Sequence, residues 1–224
     1  NNIRGEFGST RPFAVTGFDA LLPIISSDFL SWSLYSAYAF PLDDDLKIED
    51  SFGSIPLGTG IDVSIFSFGL EYRFFQNYFN AGHFDNFYDM ERVKFEGESY
   101  VTKSQNIWGI DRGVRHGIYG RLGVDLGGVV NVGGSYTHLF SDLEKVAYSN
   151  PELPHYHPDY TADRSYSTEA SLGEMIVNLI PKISTASVFY IKDYIGQGIN
   201  DNGNADGFFD LSSNSKYGYN VGVN

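Results

Sequence analysis

Residues 118–140 read IYGRLGVDLGGVVNVGGSYTHLF, and their alternation constrains the fold more than any other stretch. Ile118, Leu122, Val124, Val130, Val132, Tyr136 and Phe140 share one parity, with Tyr119, Arg121, Asp125, Asn131, Ser135 and Thr137 on the other. A period of two marks a β-strand, because successive side chains point to opposite faces. The run is too long for one ordinary strand. Leu126-Gly127-Gly128 can turn tightly, since glycine accepts positive φ. The stretch therefore reads as a hairpin with one apolar face and one polar, glycine-rich face. Soluble sheets alternate too. What sets this chain apart is that the pattern recurs along most of it, with tight turns and long polar loops taking turns between the strands.

The alternation continues on both sides of that hairpin. Residues 13–25 form a strand with Phe18, Ala20, Leu22 and Ile24 on one face, bounded or bent by Pro12 and Pro23. Residues 29–40 place Leu30, Trp32, Leu34, Tyr38 and Phe40 on one side and Ser31, Ser33, Tyr35, Ala37 and Ala39 on the other. Small and hydroxylated residues on one side are poor material for a dry core. Residues 41–57 read as a loop carrying Asp43, Asp44 and Asp45. Residues 58–75 read as one strand region, with Phe66, Phe68, Leu70, Tyr72 and Phe74 opposite Ser67, Gly69, Glu71 and Arg73. Residues 76–90 are aromatic and fit either a short helix or a bulged strand. Residues 91–101 alternate weakly, and 103–115 read as a charged loop. Residues 141–168, with Pro151, Pro154 and Pro158, read as a long exposed loop. Residues 169–180 and 185–194 form a second hairpin. Residues 195–213 read as another long loop, and a last strand starts near Ser215. The sum is about ten strands in a single domain, 1–224.

Composition agrees with a sheet protein. The chain has 224 residues, with 18 Phe, 16 Tyr and 25 Gly, a mixture suited to glycine bends and aromatic belts. It has no cysteine, so it holds no disulfide and no thiolate metal site. A net charge of -13 argues against a nucleic-acid partner. No apolar run reaches the ~20 residues that a transmembrane helix needs. Asn1 is not a natural start, and the last strand pattern stops at Asn224 without a terminal aromatic residue. The first suggests that a leader or a longer N-terminal part has been removed, and the second favours a piece of a longer protein.

Short turns fall near Ser27, Gly127 and Lys182, and long loops near Asp44, Asn150 and Asp206. With strands near the ~9–11 residues that span a bilayer when tilted, this asymmetry resembles bacterial outer-membrane β-barrels as a class. The resemblance covers nearly the whole chain and rests on pattern, not on a motif. It implies an antiparallel up-and-down β-barrel in the outer membrane, either a passive porin-like channel or the structural barrel of an outer-membrane assembly. Its partners would be the lipid bilayer and other outer-membrane proteins. Phe40, Phe74, Phe75, Tyr136, Phe140, Tyr190 and Tyr194 gather near strand ends, where aromatic girdles sit. Glu71, Arg73, Tyr119, Arg121, Asp125 and Asn131 fall on the polar parity and are the candidate pore-lining residues. On the lipid side, Arg121 would cost ~2–4 kcal/mol at the midplane. The competing reading is a soluble or surface-exposed β-sandwich for binding or adhesion, with the apolar faces buried between two sheets.

Two further stretches suggest metal chemistry. Asn202, Asn204, Asp206 and Asp210, with Gly207 at the sharp turn, approximate a D-x-[DN]-x-[DN]-G calcium loop, and Asp201 could substitute for a weak first ligand. Asn stands where Asp is preferred, and no Glu follows at the twelfth position, so an ordinary Asn/Asp/Gly turn is the simpler account of the stretch. His155 and His157 have spacing suited to a metal but no strong third ligand, and read as exposed loop histidines. Ser, His and Asp are all present without a G-x-S-x-G elbow or another spaced signature, so the chain does not read as an enzyme.

Overall fold

A computed structural model describes residues 14–42, 51–77, 79, 93–96, 99–102, 113–141, 162–193, 195, 207–208 and 215–223. Nine strands form one antiparallel sheet. They are β1 (Ala14–Ser26), β2 (Leu30–Leu42), β3 (Phe52–Val63), β4 (Phe66–Gln76), β7 (Arg115–Asp125), β8 (Val130–Ser141), β9 (Ala162–Leu172), β10 (Ile183–Lys192) and β11 (Ser215–Val223). The strands of this sheet pair in chain order, β1-β2-β3-β4-β7-β8-β9-β10-β11, with β4 beside β7. The two strands missing from that order, β5 (Val93–Glu96) and β6 (Ser99–Thr102), make a separate hairpin. The all-β antiparallel reading holds. Among the described residues the sheet is open, with β1 and β11 as its edges.

The central hairpin turns at the glycines. Gly127 and Gly128 have φ of 65° and 75°, Leu126 N donates to Val130 O at 2.9 Å, and Gly128 N donates to Asp125 Oδ1 at 2.9 Å. Four boundaries differ from the sequence reading. Residues 58–75 are not one strand region, because Ser64 (φ 54°) and Ile65 turn between β3 and β4. β3 also begins at Phe52, inside the stretch read as loop. β9 begins at Ala162, inside another presumed loop, because polar residues on both of its faces erase the alternation. The strand assigned to 169–180 stops at Leu172 and gives way to a one-turn helix, α1 (Glu174–Val177). That turn docks on the central hairpin through Gly173 N to Val129 O (2.9 Å) and Met175 N to Gly128 O (3.0 Å).

The register converts sequence parity into two faces. Leu22, Leu34, Thr59, Leu70, Gly120, Tyr136 and Tyr166 lie in one transverse row. With Phe68, Leu122, Val132 and Val188 they build a face whose large apolar residues stay exposed, including Leu122 at 55% and Leu22 at 59%. A bulge between Pro23 and Ile25 puts Ile25, rather than Ile24, opposite Trp32. Among the described residues only Phe75, Leu139, Val177 and Ile195 are buried and apolar, so no second layer covers this face. A water-soluble fold normally buries one face of each sheet against another layer.

Candidate functional site: the polar face and its aromatic rim

The opposite face carries all six candidate pore-lining residues. Glu71 and Arg73 come from β4, Tyr119, Arg121 and Asp125 from β7, and Asn131 from β8. Register pairs Glu71 with Tyr119 and Asp125 with Asn131. They form three groups along the strands rather than one ring.

The first group is a tight network around Glu71, which is only 7% exposed. Tyr35 Oη donates to Glu71 Oε1 at 2.6 Å. Arg73 donates to Glu71 Oε2 through Nε at 2.7 Å, with its terminal nitrogen also 2.7 Å away. The Arg73 guanidinium lies 3.6 Å over the Tyr119 ring. Both carboxylate oxygens are thus engaged, by a charge-assisted pair and by a phenol, while Tyr119 holds the arginine from its other side through a cation–π contact. Tyr35 reaches across β3 only because Gly58 intervenes, where a Cβ would collide with the Tyr35 ring. The sequence placed Tyr35 on this face without marking it as functional. A lone aromatic residue among Ser31, Ser33, Ala37 and Ala39 was the available signal.

The second group is Arg121, whose side chain lies over Gly69; a Cβ there would come 2.6 Å from its Nε. Its row continues into Ser135 and Ser167, whose hydroxyls meet at 2.8 Å. The third group lies towards the short turns. Asp62, Ser67, Asp125, Asn131, Glu169 and Ser171 line a recess of about 430 Å³. Asp62 and Glu169 were not singled out from the sequence, because the loop reading of 141–168 and the undivided reading of 58–75 hid their cross-strand neighbours. Near the long-loop end, Arg115 approaches Asp163 at 3.7 Å and donates to Phe79 O at 2.5 Å.

The apolar face is rimmed by aromatic rings at the same long-loop end. Phe18 stacks on Tyr38 with centroids 5.1 Å apart, Phe40 lies 6.3 Å from Phe52, and Phe52 stacks on Phe74 at 5.5 Å. Phe74 pairs with His116, whose ring lies 6.1 Å from Phe140 and whose Nδ1 is 2.9 Å from Tyr72 Oη. Tyr136 pairs with Tyr166, both touch Phe208, and Tyr166 lies 5.5 Å from Tyr190, which pairs with Tyr217 on β11. The belt therefore crosses all nine strands. The short-turn end has no comparable ring chain among the described residues and instead exposes aliphatic Ile25, Leu126, Met175 and Leu179.

Asn202, Asn204, Asp206 and Asp210 lie outside the described residues, as do Asp43, Asp44, Asp45, His155 and His157. Of the candidate calcium loop, Gly207 and Phe208 are described. The Gly207 carbonyl accepts Lys192 Nζ at 2.6 Å, and the Phe208 ring stacks on Tyr166 at 4.4 Å. An ammonium therefore already sits on a loop carbonyl. No group of metal-binding side chains occurs among the described residues, and none of their helices is long and apolar enough to cross a membrane, which leaves strand crossing open. No protein-family model matches the chain, and a search of curated proteins finds no match.

Proposed function

We propose that this chain forms the transmembrane wall of a bacterial outer-membrane β-barrel and acts as a passive pore, or as the structural barrel of an outer-membrane assembly. The observation that carries the reading is the nine-strand aromatic belt on an uncovered apolar face, set at the end where the long connections leave the sheet. Rings at that level suit the boundary between hydrocarbon and headgroups, and long loops on one side suit the outer surface. The polar face would then meet an aqueous lumen. The sandwich reading is less favoured because Leu22, Leu70 and Leu122 are exposed, with no second sheet over them among the described residues.

Nine strands in simple succession leave β1 and β11 running parallel to each other. An antiparallel closure with an even strand count, as in single-chain bacterial barrels, needs an odd number of further strands between those edges. Unpaired edges in hydrocarbon cost several kcal/mol for each unsatisfied backbone group, on the order of 4–8 kcal/mol by transfer to an alkane. Their closure is therefore part of the proposal.

The test is folding of the purified chain, with and without lipid vesicles, followed by planar-bilayer conductance. We expect sheet structure and protease protection of the strands only with vesicles or detergent. A monodisperse, folded chain in plain buffer would favour the sandwich. Vesicle insertion without conductance would assign the structural role rather than the pore.

A further inference from the structure

We infer that Arg121 is an oxyanion-binding station on the polar face, taking the carboxylate or phosphate group of a small solute. The inference rests on the polar face being the wetted lumen of the proposed barrel. It begins from the unequal treatment of two arginines two rows apart. Arg73 is fully committed, with its guanidinium on Glu71 Oε2 at 2.7 Å and its plane against the Tyr119 ring. Arg121 is exposed and has no carboxylate within ion-pair distance among the described residues. Glu71 is the nearest acid towards the long-loop end, and it makes no ion pair with Arg121. Its Oε1 already accepts Tyr35 and its Oε2 holds Arg73.

The surroundings of Arg121 leave room for a ligand. The row across the sheet is Gly60, Gly69, Arg121, Ser135 and Ser167. It supplies no bulk, while the bonded Ser135–Ser167 pair leaves one hydroxyl proton to donate beside the guanidinium. Glycine at 69 lets the arginine stem lie flat, because a Cβ would come 2.6 Å from Nε and 2.8 Å from Cγ. The guanidinium is a planar fork suited to oxyanions. The nearest uncommitted acids, Asp62 and Glu169, lie one facing row towards the short turns, roughly 7 Å along the strand. That is beyond contact, but near enough to repel a highly charged anion. The arrangement therefore suits singly charged solutes over multiply charged ones.

The experiment uses the full chain folded in detergent micelles, with the arginine Nε–H resonances followed during titration with acetate and then with inorganic phosphate. Arg121→Gln assigns the Arg121 signal, and Arg73, held by Glu71, is the internal control. We expect a saturable shift of the Arg121 resonance with little movement of Arg73. Acetate acting alone assigns carboxylates, and phosphate acting alone assigns phosphate groups. Absence of a saturable Arg121 shift with both anions overturns the inference, whether or not the protein conducts. In planar bilayers, Arg121→Gln should lower the anion-to-cation permeability ratio by about fivefold, the factor that one unit charge at contact distance in water supports. Arg121→Lys, which keeps the charge but not the fork, should restore the anion-to-cation ratio for chloride. A conducting protein whose ratio is unchanged by Arg121→Gln also overturns the inference and leaves the pore reading intact.

Discussion

Leu122 and Arg121 are neighbours on one strand, yet they belong to two unlike surfaces. Around Leu122 the face is apolar, exposed and held together across strands by ring contacts at its rim. Around Arg121 the face is polar and glycine-rich, with its largest side chains lying over glycines and bonded to one another. A soluble sheet usually hides its apolar face and wets its polar one. Here the apolar face is uncovered, while Glu71 on the polar face is nearly buried by its own neighbours. On the function proposed above, the solvent boundary of this sheet would be reversed with respect to a sandwich, with the internally bonded polar side towards water and the exposed apolar side towards lipid.

The largest expected effect tests that reversal directly. Leu122→Arg should destabilise the vesicle-inserted protein by ~2–4 kcal/mol, the cost of a cation on the lipid face near the midplane. Denaturant titration of folding into vesicles measures it, with Arg121→Leu as the matched change on the other face. The Leu122 substitution should be clearly the worse of the two. Equal, small effects from both would mean that neither face meets hydrocarbon.

Next in size is the network on the polar face. Glu71→Ala leaves the Arg73 guanidinium and the Tyr35 hydroxyl without their shared acceptor, for an expected loss of ~1–3 kcal/mol. The same titration reads it, and Glu71→Gln should recover part of the loss by keeping an acceptor oxygen. A neutral Glu71→Ala would show that these groups are hydrated by lumen water rather than by one another. Below it comes Gly58→Ala, whose new methyl meets the Tyr35 ring. About 1–2 kcal/mol is expected, as for other overpacked sites. Most of that loss should disappear when Tyr35→Ala is already present, since the clash then has no partner; full additivity would place the strain elsewhere.

These contacts show which parts of the structure the sequence made readable. The central hairpin was legible because alternation and Gly127-Gly128 agree on strand and turn. The turn at Ser64 was not, because a seryl residue there adopts a φ of 54° without glycine or asparagine to mark it. Strand β9 was hidden by having Arg164, Tyr166 and Thr168 on one face and Asp163, Ser165 and Ser167 on the other, so no contrast of polarity survived. The six pore-lining candidates do share a face, as parity predicts. Their division into a closed network, an available arginine and an acidic recess depends on register. Tyr35 and Glu71 are 36 positions apart and meet only because Gly58 lies between them in the pairing.

The smallest expected effect concerns a polar bond on the apolar face. Trp32 Nε1 donates to Thr59 Oγ1 at 2.9 Å, and Thr59 Oγ1 in turn donates to the Ser33 carbonyl at 3.1 Å. Both side chains point towards the proposed lipid, where no water can replace either partner. Trp32→Phe removes the indole donor and leaves the threonine hydroxyl bonded to the backbone, so no buried donor is orphaned. The expected cost is ~0.6 kcal/mol for the pair, the average for side-chain bonds between membrane-embedded groups, plus a modest packing term from the smaller ring. A double-mutant cycle with Thr59→Val, run in vesicles, isolates the pairwise part. A coupling energy near zero would mean that water reaches Trp32, and the lipid boundary would then have to be drawn below the Trp32–Ile61 pair, closer to the aromatic belt.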